Sequence, residues 1–190
     1  MPLNLPNILT WLRILTIPLV IGVFYVPGVW LSSGHQNLIA TVLFIAAAIT
    51  DWLDGYFARR LNQTSAFGEF LDPVADKLMI AAALIVLVEL GRVEAIIAVV
   101  IIGREIAVSA LREWMAKIGQ AKSVAVNFLG KIKTISQMIA VPLLLYHERI
   151  GMFSPQRVGT WLIYLAAVLT LVSMFYYLKL ASPGPERSVR

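Results

Sequence analysis

From Ile14 to Thr50 the chain carries no Asp, Glu, Lys or Arg, and this 37-residue run is broken only by the polar turn signal Ser32-Ser33-Gly34-His35-Gln36-Asn37. About 20 apolar residues cross the ~30 Å hydrocarbon layer, so the pattern predicts two spanning helices. Val158 to Leu178 is a further uncharged run of 21 residues and predicts another. Between Asp51 and His147 charges interrupt the apolar pattern, and the expected spans there are Phe67 to Leu90, Val93 to Trp114 and Val124 to Tyr146. The expected fold is an all-α integral membrane protein with six transmembrane helices, one domain over residues 1–181 and a disordered tail at 182–190. The apolar run after Arg13 is long and lacks a small-x-small exit, which argues against a cleaved signal peptide.

The intruding charges fall in a pattern. They lie at the C-terminal end of span two (Asp51, Asp54, Arg59), the N-terminal end of span three (Asp72, Asp76, Lys77), the C-terminal end of span four (Arg104, Glu105, Arg112) and the N-terminal end of span five (Lys131, Lys133). Consecutive spans run in opposite directions, so all of these belong to one leaflet. Arg13 opens span one and Lys179 closes span six on the same side, leaving Arg92, Arg149 and Arg157 as three of 16 cations on the other. By the positive-inside rule the charged side is cytoplasmic and so are both termini, which predicts a polar cavity in the cytoplasmic leaflet.

Composition sharpens this in three ways. The chain is 59% hydrophobic and 14% charged, against roughly 25% charged in soluble proteins, and its mean hydropathy of +0.79 leaves more apolar surface than a 190-residue core can hide. The lack of Cys excludes a disulfide framework, a thiolate metal site and a cysteine nucleophile. The net charge of +5 would suit nucleic acid, but no basic cluster with interleaved aromatics stands clear of an apolar run. Anionic membrane lipids or phosphorylated substrates fit that charge, and no nucleic-acid partner is expected.

All four aspartates lie between positions 51 and 76. Asp51 and Asp54 share a helical face, continued by Gly55 and Ala58; Asp72 and Asp76 share another, with Gly68 one turn earlier. The short turn around residues 61–65 is expected to make the two helices antiparallel neighbours, so that both carboxylate pairs converge. Four carboxylates at membrane depth cost on the order of 10 kcal/mol on insertion scales. Arg59 and Lys77 offset part of that, whereas two hard divalent ions would balance all four charges with an all-oxygen ligand set.

The stretch Asp51 to Asp76 resembles, at all eight fixed positions, the signature of the CDP-alcohol phosphotransferase family: Asp-x2-Asp-Gly-x2-Ala-Arg-x8-Gly-x3-Asp-x3-Asp. The resemblance implies six helices with the motif across the second and third, transfer of a phosphatidyl group from CDP-diacylglycerol to an alcohol with release of CMP, and a homodimer. By motif position it implies that Asp51, Asp54, Asp72 and Asp76 hold two Mg²⁺ or Mn²⁺ ions at the diphosphate, with Asp76 also the general base. Gly55, Ala58, Arg59 and Gly68 would line the groove for CDP-diacylglycerol. The runs Asn7-Ile8-Leu9-Thr10-Trp11-Leu12-Arg13, Gly103-Arg104-Glu105-Ile106, Ala110-Leu111-Arg112-Glu113-Trp114 and Gly130-Lys131-Ile132-Lys133-Thr134 resemble those bacterial members whose acceptor is glycerol 3-phosphate, which implies a bacterial inner membrane with the active-site cavity in its cytoplasmic leaflet.

A dianionic acceptor phosphate calls for Arg or Lys near the aspartates. Arg104, Lys131 and Lys133 are the chosen candidates, although Lys131 and Lys133 reach one site together only if the helix is irregular near Gly130. Arg112, Lys117 and Lys122 are balanced between that role and anchoring lipid phosphates. Asn7, Thr10 and Arg13, at i, i+3 and i+6, either cap a helix beneath a lipid head group or close over the nucleotide as the resemblance suggests. His35 and His147 fall on the far side and read as loop residues, and tryptophans near the span ends read as an interfacial belt. Alternatives within the same chemistry are inositol, inositol phosphate, serine or phosphatidylglycerol as acceptor. From another class, an ion or proton transporter also uses intramembrane carboxylates.

Overall fold

A computed structural model describes residues 5–61, 66–117 and 128–181; of residues 5–7, 54–59, 61, 66–67, 69, 128–129 and 180–181 it describes the backbone alone. The C-terminal tail at 182–190, the turn at 62–65 and Lys122 lie outside the described residues. Among the described residues six α-helices follow one another: α1 Leu5–Gly22, then a short 3-10 turn at Val23–Tyr25, α2 Ser33–Leu61, α3 Ala66–Glu89, α4 Ala95–Lys117, α5 Phe128–Tyr146 and α6 Pro155–Ala181. No strand occurs among the described residues.

Among the described residues three helices are long and apolar enough to cross a membrane: Ile8–Tyr25, Ser33–Leu53 and Pro155–Lys179. The other three are the ones whose apolar runs are interrupted by charge. The first crossing begins before the charge-free run that starts at Ile14, so Arg13 stands inside α1 rather than at its mouth. Its side chain is wholly buried, as is that of Thr10, whereas Leu12, Leu15 and Leu19 on the same helix are 50, 60 and 57% exposed. Polar residues in and large apolar residues out is the reverse of a water-soluble globule, and it is the arrangement lipid solvates.

The helices pack around an apolar core in which Phe44 of α2, Leu84 and Leu87 of α3, Ile101 of α4, Leu144 and Leu145 of α5 and Ile163 of α6 meet. α5 lies between α2 and α6, and α4 packs on α6 and α3. The expectation that α2 and α3 are direct neighbours needs correcting. α1 packs against both of them, while among the described residues α2 and α3 make at most a marginal contact with each other. Inward-facing Thr10 and Arg13 explain this, because the carboxylates of α2 and α3 are brought together around α1.

The end of the bundle away from the aspartates is pinned by Arg92. Gly91 closes α3 in the left-handed region at φ +66°, with Arg92 N donating to Leu87 O and Gly91 N to Val88 O, a Schellman ending. The Arg92 guanidinium then donates to Leu144 O and Leu145 O at 3.1 and 2.7 Å, capping carbonyls at the C-terminus of α5, and to Asn37 Oδ1 of α2 at 2.7 Å. Burial and the neighbouring Arg92 draw the His147 imidazole below its ordinary range, so the ring adds no positive charge at this end near neutral pH.

Candidate active site

One turn of α1 meets one turn of α3. Thr10 and Arg13 share a face of α1 at i and i+3, and Asp72 and Asp76 share a face of α3 at i and i+4. Thr10 Oγ1 donates to Asp72 Oδ1 at 2.6 Å, and Arg13 Nη1 donates to Asp76 Oδ1 at 2.6 Å. The same Arg13 nitrogen lies 2.8 Å from Asp51 Oδ1 of α2. Two carboxylates, from helices that barely touch among the described residues, are therefore gathered by one buried cation. Pro73, between the two α3 aspartates, has no amide N–H to return to residue 69, yet α3 runs through it without a break. Gly68 is buried one turn earlier.

The side chains of Asn7, Asp54, Gly55, Ala58 and Arg59 lie outside the described residues. Asp51, Asp72 and Asp76 do not close into a three-ligand group around a single point. Their chemistry nonetheless fits hard divalent ions: the donors are carboxylate oxygens, and Arg13 already marks a point where a cation lies between two of the described carboxylates, Asp51 and Asp76.

Asp76 has a second role in the geometry. With Pro73 and Lys77 it forms one wall of a cavity of about 240 Å³ between α3, α4 and α5. The α4 wall is a helical stripe of Arg104, Glu105, Val108, Ser109 and Arg112, and α5 adds Thr134, Gln137 and Met138. Arg104 is buried, and its Nη2 donates to Ser173 Oγ of α6 at 2.8 Å. Arg112 Nη2 donates to Tyr177 Oη of α6 at 3.0 Å. The cavity thus has Asp76 and Lys77 at one side and the two guanidinia with the Glu105 carboxylate, which is ion-paired with Lys133, at another, and Ser109, Thr134 and Gln137 add neutral hydrogen-bonding side chains.

The two lysines of α5 part company. The helix is regular from Phe128, so Lys133 turns into the bundle and Lys131 is exposed. Lys133 is ion-paired with Glu105 and does not line the cavity, and Arg104 Nη1 is also 3.8 Å from Glu105 Oε2. Lys117 pairs with Glu113 on the exposed face of α4 at 2.9 Å. Of the basic candidates, Arg104 faces the cavity and is joined there by Arg112. The contribution of α6 was missed from sequence because its run from Val158 to Leu178 carries no charge. The available signal was a polar face, Thr170, Ser173 and Tyr177 at i, i+3 and i+7 in an apolar helix, all three wholly buried.

The sequence pattern of the CDP-alcohol phosphatidyltransferase family matches residues 3–172, and the chain belongs to that family. It is 47% identical over 184 residues to the CDP-diacylglycerol--glycerol-3-phosphate 3-phosphatidyltransferase of Pectobacterium atrosepticum, an overlap covering 95% of this chain and 96% of the relative. Proteins of the same name from Salmonella choleraesuis and Shigella flexneri serotype 5b are 44 and 45% identical over 183 residues, again across 95% of this chain and 96% of theirs.

Proposed function

We propose that this protein transfers the phosphatidyl group of CDP-diacylglycerol to sn-glycerol 3-phosphate, giving phosphatidylglycerophosphate and CMP. The observation that carries the proposal is Asp76, which belongs at once to the aspartate cluster and to the wall of a cavity holding Arg104 and Arg112. The names of the relatives supply the substrate pair that suits those two compartments.

Asp51, Asp54, Asp72 and Asp76 hold two divalent ions, Mg²⁺ or Mn²⁺, whose chemistry there is to neutralise the negative charge of the diphosphate and of the departing CMP. Asn7, Thr10, Gly55, Ala58, Arg59 and Gly68 bind CDP-diacylglycerol beside them. Arg104 and Arg112 receive the acceptor's phosphate, with Lys133 held behind them on Glu105. A hydroxyl oxygen of glycerol 3-phosphate attacks the phosphatidyl phosphorus and gives its proton to Asp76. A P–O bond forms there as the bond from that phosphorus to the CMP phosphate oxygen breaks, and CMP departs with the electron pair. Both substrates are anionic, so most of the acceleration comes from charge neutralisation and from holding hydroxyl and phosphorus in line.

All six helices span the membrane in this proposal, with both termini and the charged end of the bundle on the cytoplasmic side. That places the cavity where a soluble phosphate meets a lipid diphosphate. The test is purified protein in detergent with CDP-diacylglycerol, Mg²⁺ and a panel of acceptors, scored by CMP release. Glycerol 3-phosphate is expected to drive release, whereas release with serine or inositol in its place rejects the acceptor assigned here.

A further inference from the structure

The cavity takes both arginines from α4, yet both are held from behind by α6, which adds no described side chain to the cavity wall. Ser173 and Tyr177 are four apart on one face of α6 and wholly buried. Ser173 Oγ accepts from Arg104 Nη2 at 2.8 Å and donates to Thr170 O at 3.0 Å, so the hydroxyl is fixed in one orientation. Tyr177 Oη accepts from Arg112 Nη2 at 3.0 Å. The Tyr177 ring also lies beneath both guanidinia, its centroid 5.8 Å from Arg104 Cζ and 5.2 Å from Arg112 Cζ.

Two like charges so close to one ring repel each other, and the negative face of the ring offsets part of that repulsion while setting their separation. A guanidinium is a rigid planar fork of five donors, so fixing one terminal nitrogen and the plane of the group fixes where the remaining N–H groups point. In both arginines Nε is buried and has no hydrogen-bond partner. Both arginines line the cavity, and neither guanidinium has all its donors engaged.

We propose that Tyr177 is the positioning residue of the acceptor subsite: it aims Arg112 directly and, with Ser173, Arg104, so that the pair accepts a dianionic phosphate monoester in preference to an unphosphorylated alcohol. The inference rests on the assignment of this cavity to the acceptor. Tyr177 touches neither substrate; it acts through the arginines.

The test compares full-length wild type, Tyr177→Phe, Arg112→Met and the double variant, each monodisperse in detergent with CDP-diacylglycerol and Mg²⁺. Tyr177→Phe keeps the ring and removes the hydroxyl that accepts from a charged donor, a loss worth about a factor of ten. KM for glycerol 3-phosphate rises about tenfold, inhibition by inorganic phosphate weakens in proportion, and kcat and KM for CDP-diacylglycerol stay within about twofold. In the Arg112→Met background the same change adds less than about twofold, because its route to the substrate is already gone. Where Tyr177→Phe does not fold, Ser173→Ala carries the test through Arg104, with a rise in KM for glycerol 3-phosphate alone as the supporting result. An unchanged KM, a parallel rise in both KM values, or an undiminished effect beside Arg112→Met overturns the role of Tyr177. Wild type that releases CMP only with unphosphorylated acceptors overturns instead the assignment of the cavity.

Discussion

At Arg13 a single nitrogen holds carboxylates from two helices that, among the described residues, otherwise hardly meet, and the whole Arg13 side chain is out of solvent. Removing the charge leaves two half-exposed carboxylates, Asp51 and Asp76, facing one another without their buried partner, a loss of about 1–3 kcal/mol once solvent screening is allowed for. Arg13→Gln should lower the thermal midpoint in EDTA by about 5 °C. Added Mg²⁺ should restore part of the loss, and no recovery would count against a cation site between Asp51 and Asp76. Asp76→Asn keeps the size of the side chain and one acceptor oxygen while abolishing its use as a base. Its turnover should fall by at least about 100-fold in protein that remains monodisperse; turnover within tenfold of wild type would remove Asp76 from that role. The aspartate motif was legible in the sequence because its spacing is local, two residues or three between partners. What Arg13 and Thr10 do was not, since their partners lie 38 to 63 positions away and the i, i+3, i+6 pattern suits a lipid-facing cap equally well.

Among the helices, α6 shows how an apolar run can conceal function. Its lack of charge reads as a lipid-solvated span, and its outward face, with Trp161, Val168 and Phe175 exposed, is one. The opposite face is close-packed on α5. A Cβ at Gly159 would lie 2.8 Å from Leu144 Cγ, 3.2 Å from Ala140 O and 3.2 Å from Leu143 Cβ, contacts that a backbone and a branched side chain cannot yield cheaply. Gly159→Ala gains roughly 1 kcal/mol of helix propensity but should still destabilise by about 1–2 kcal/mol net through overpacking. A midpoint several degrees lower by thermal unfolding in detergent is expected, and an unchanged or raised midpoint would contradict the close approach of α5 and α6. Helix number and order were readable from hydropathy, as was the all-α class. The wedging of α1 between α2 and α3 was not, because a short turn implies adjacency and only the inward pair Thr10 and Arg13 reverses it. The divergence of Lys131 and Lys133 follows from regular helix geometry once α5 is regular at Gly130.

Across the whole molecule, side chains from every helix meet at one end of the bundle: Arg13 with Asp51 and Asp76, Lys133 with Glu105, and Arg104 and Arg112 with Ser173 and Tyr177. The other end is closed by Arg92, Asn37 and the apolar core. Charge that a membrane protein can tolerate only sparingly is thus concentrated at one surface, and that asymmetry predicts orientation. The chain has no Cys, so single-cysteine variants report it without background. Arg149→Cys should react with a membrane-impermeant maleimide in intact spheroplasts, and Lys117→Cys only after the membrane is opened; the reverse order would invert the topology. The central claim is tested most directly by following radiolabelled glycerol 3-phosphate with purified protein, CDP-diacylglycerol and Mg²⁺. Label should enter the lipid phase as phosphatidylglycerophosphate, one equivalent for each CMP released, whereas CMP formed without lipid-bound label, or no CMP at all, would contradict it.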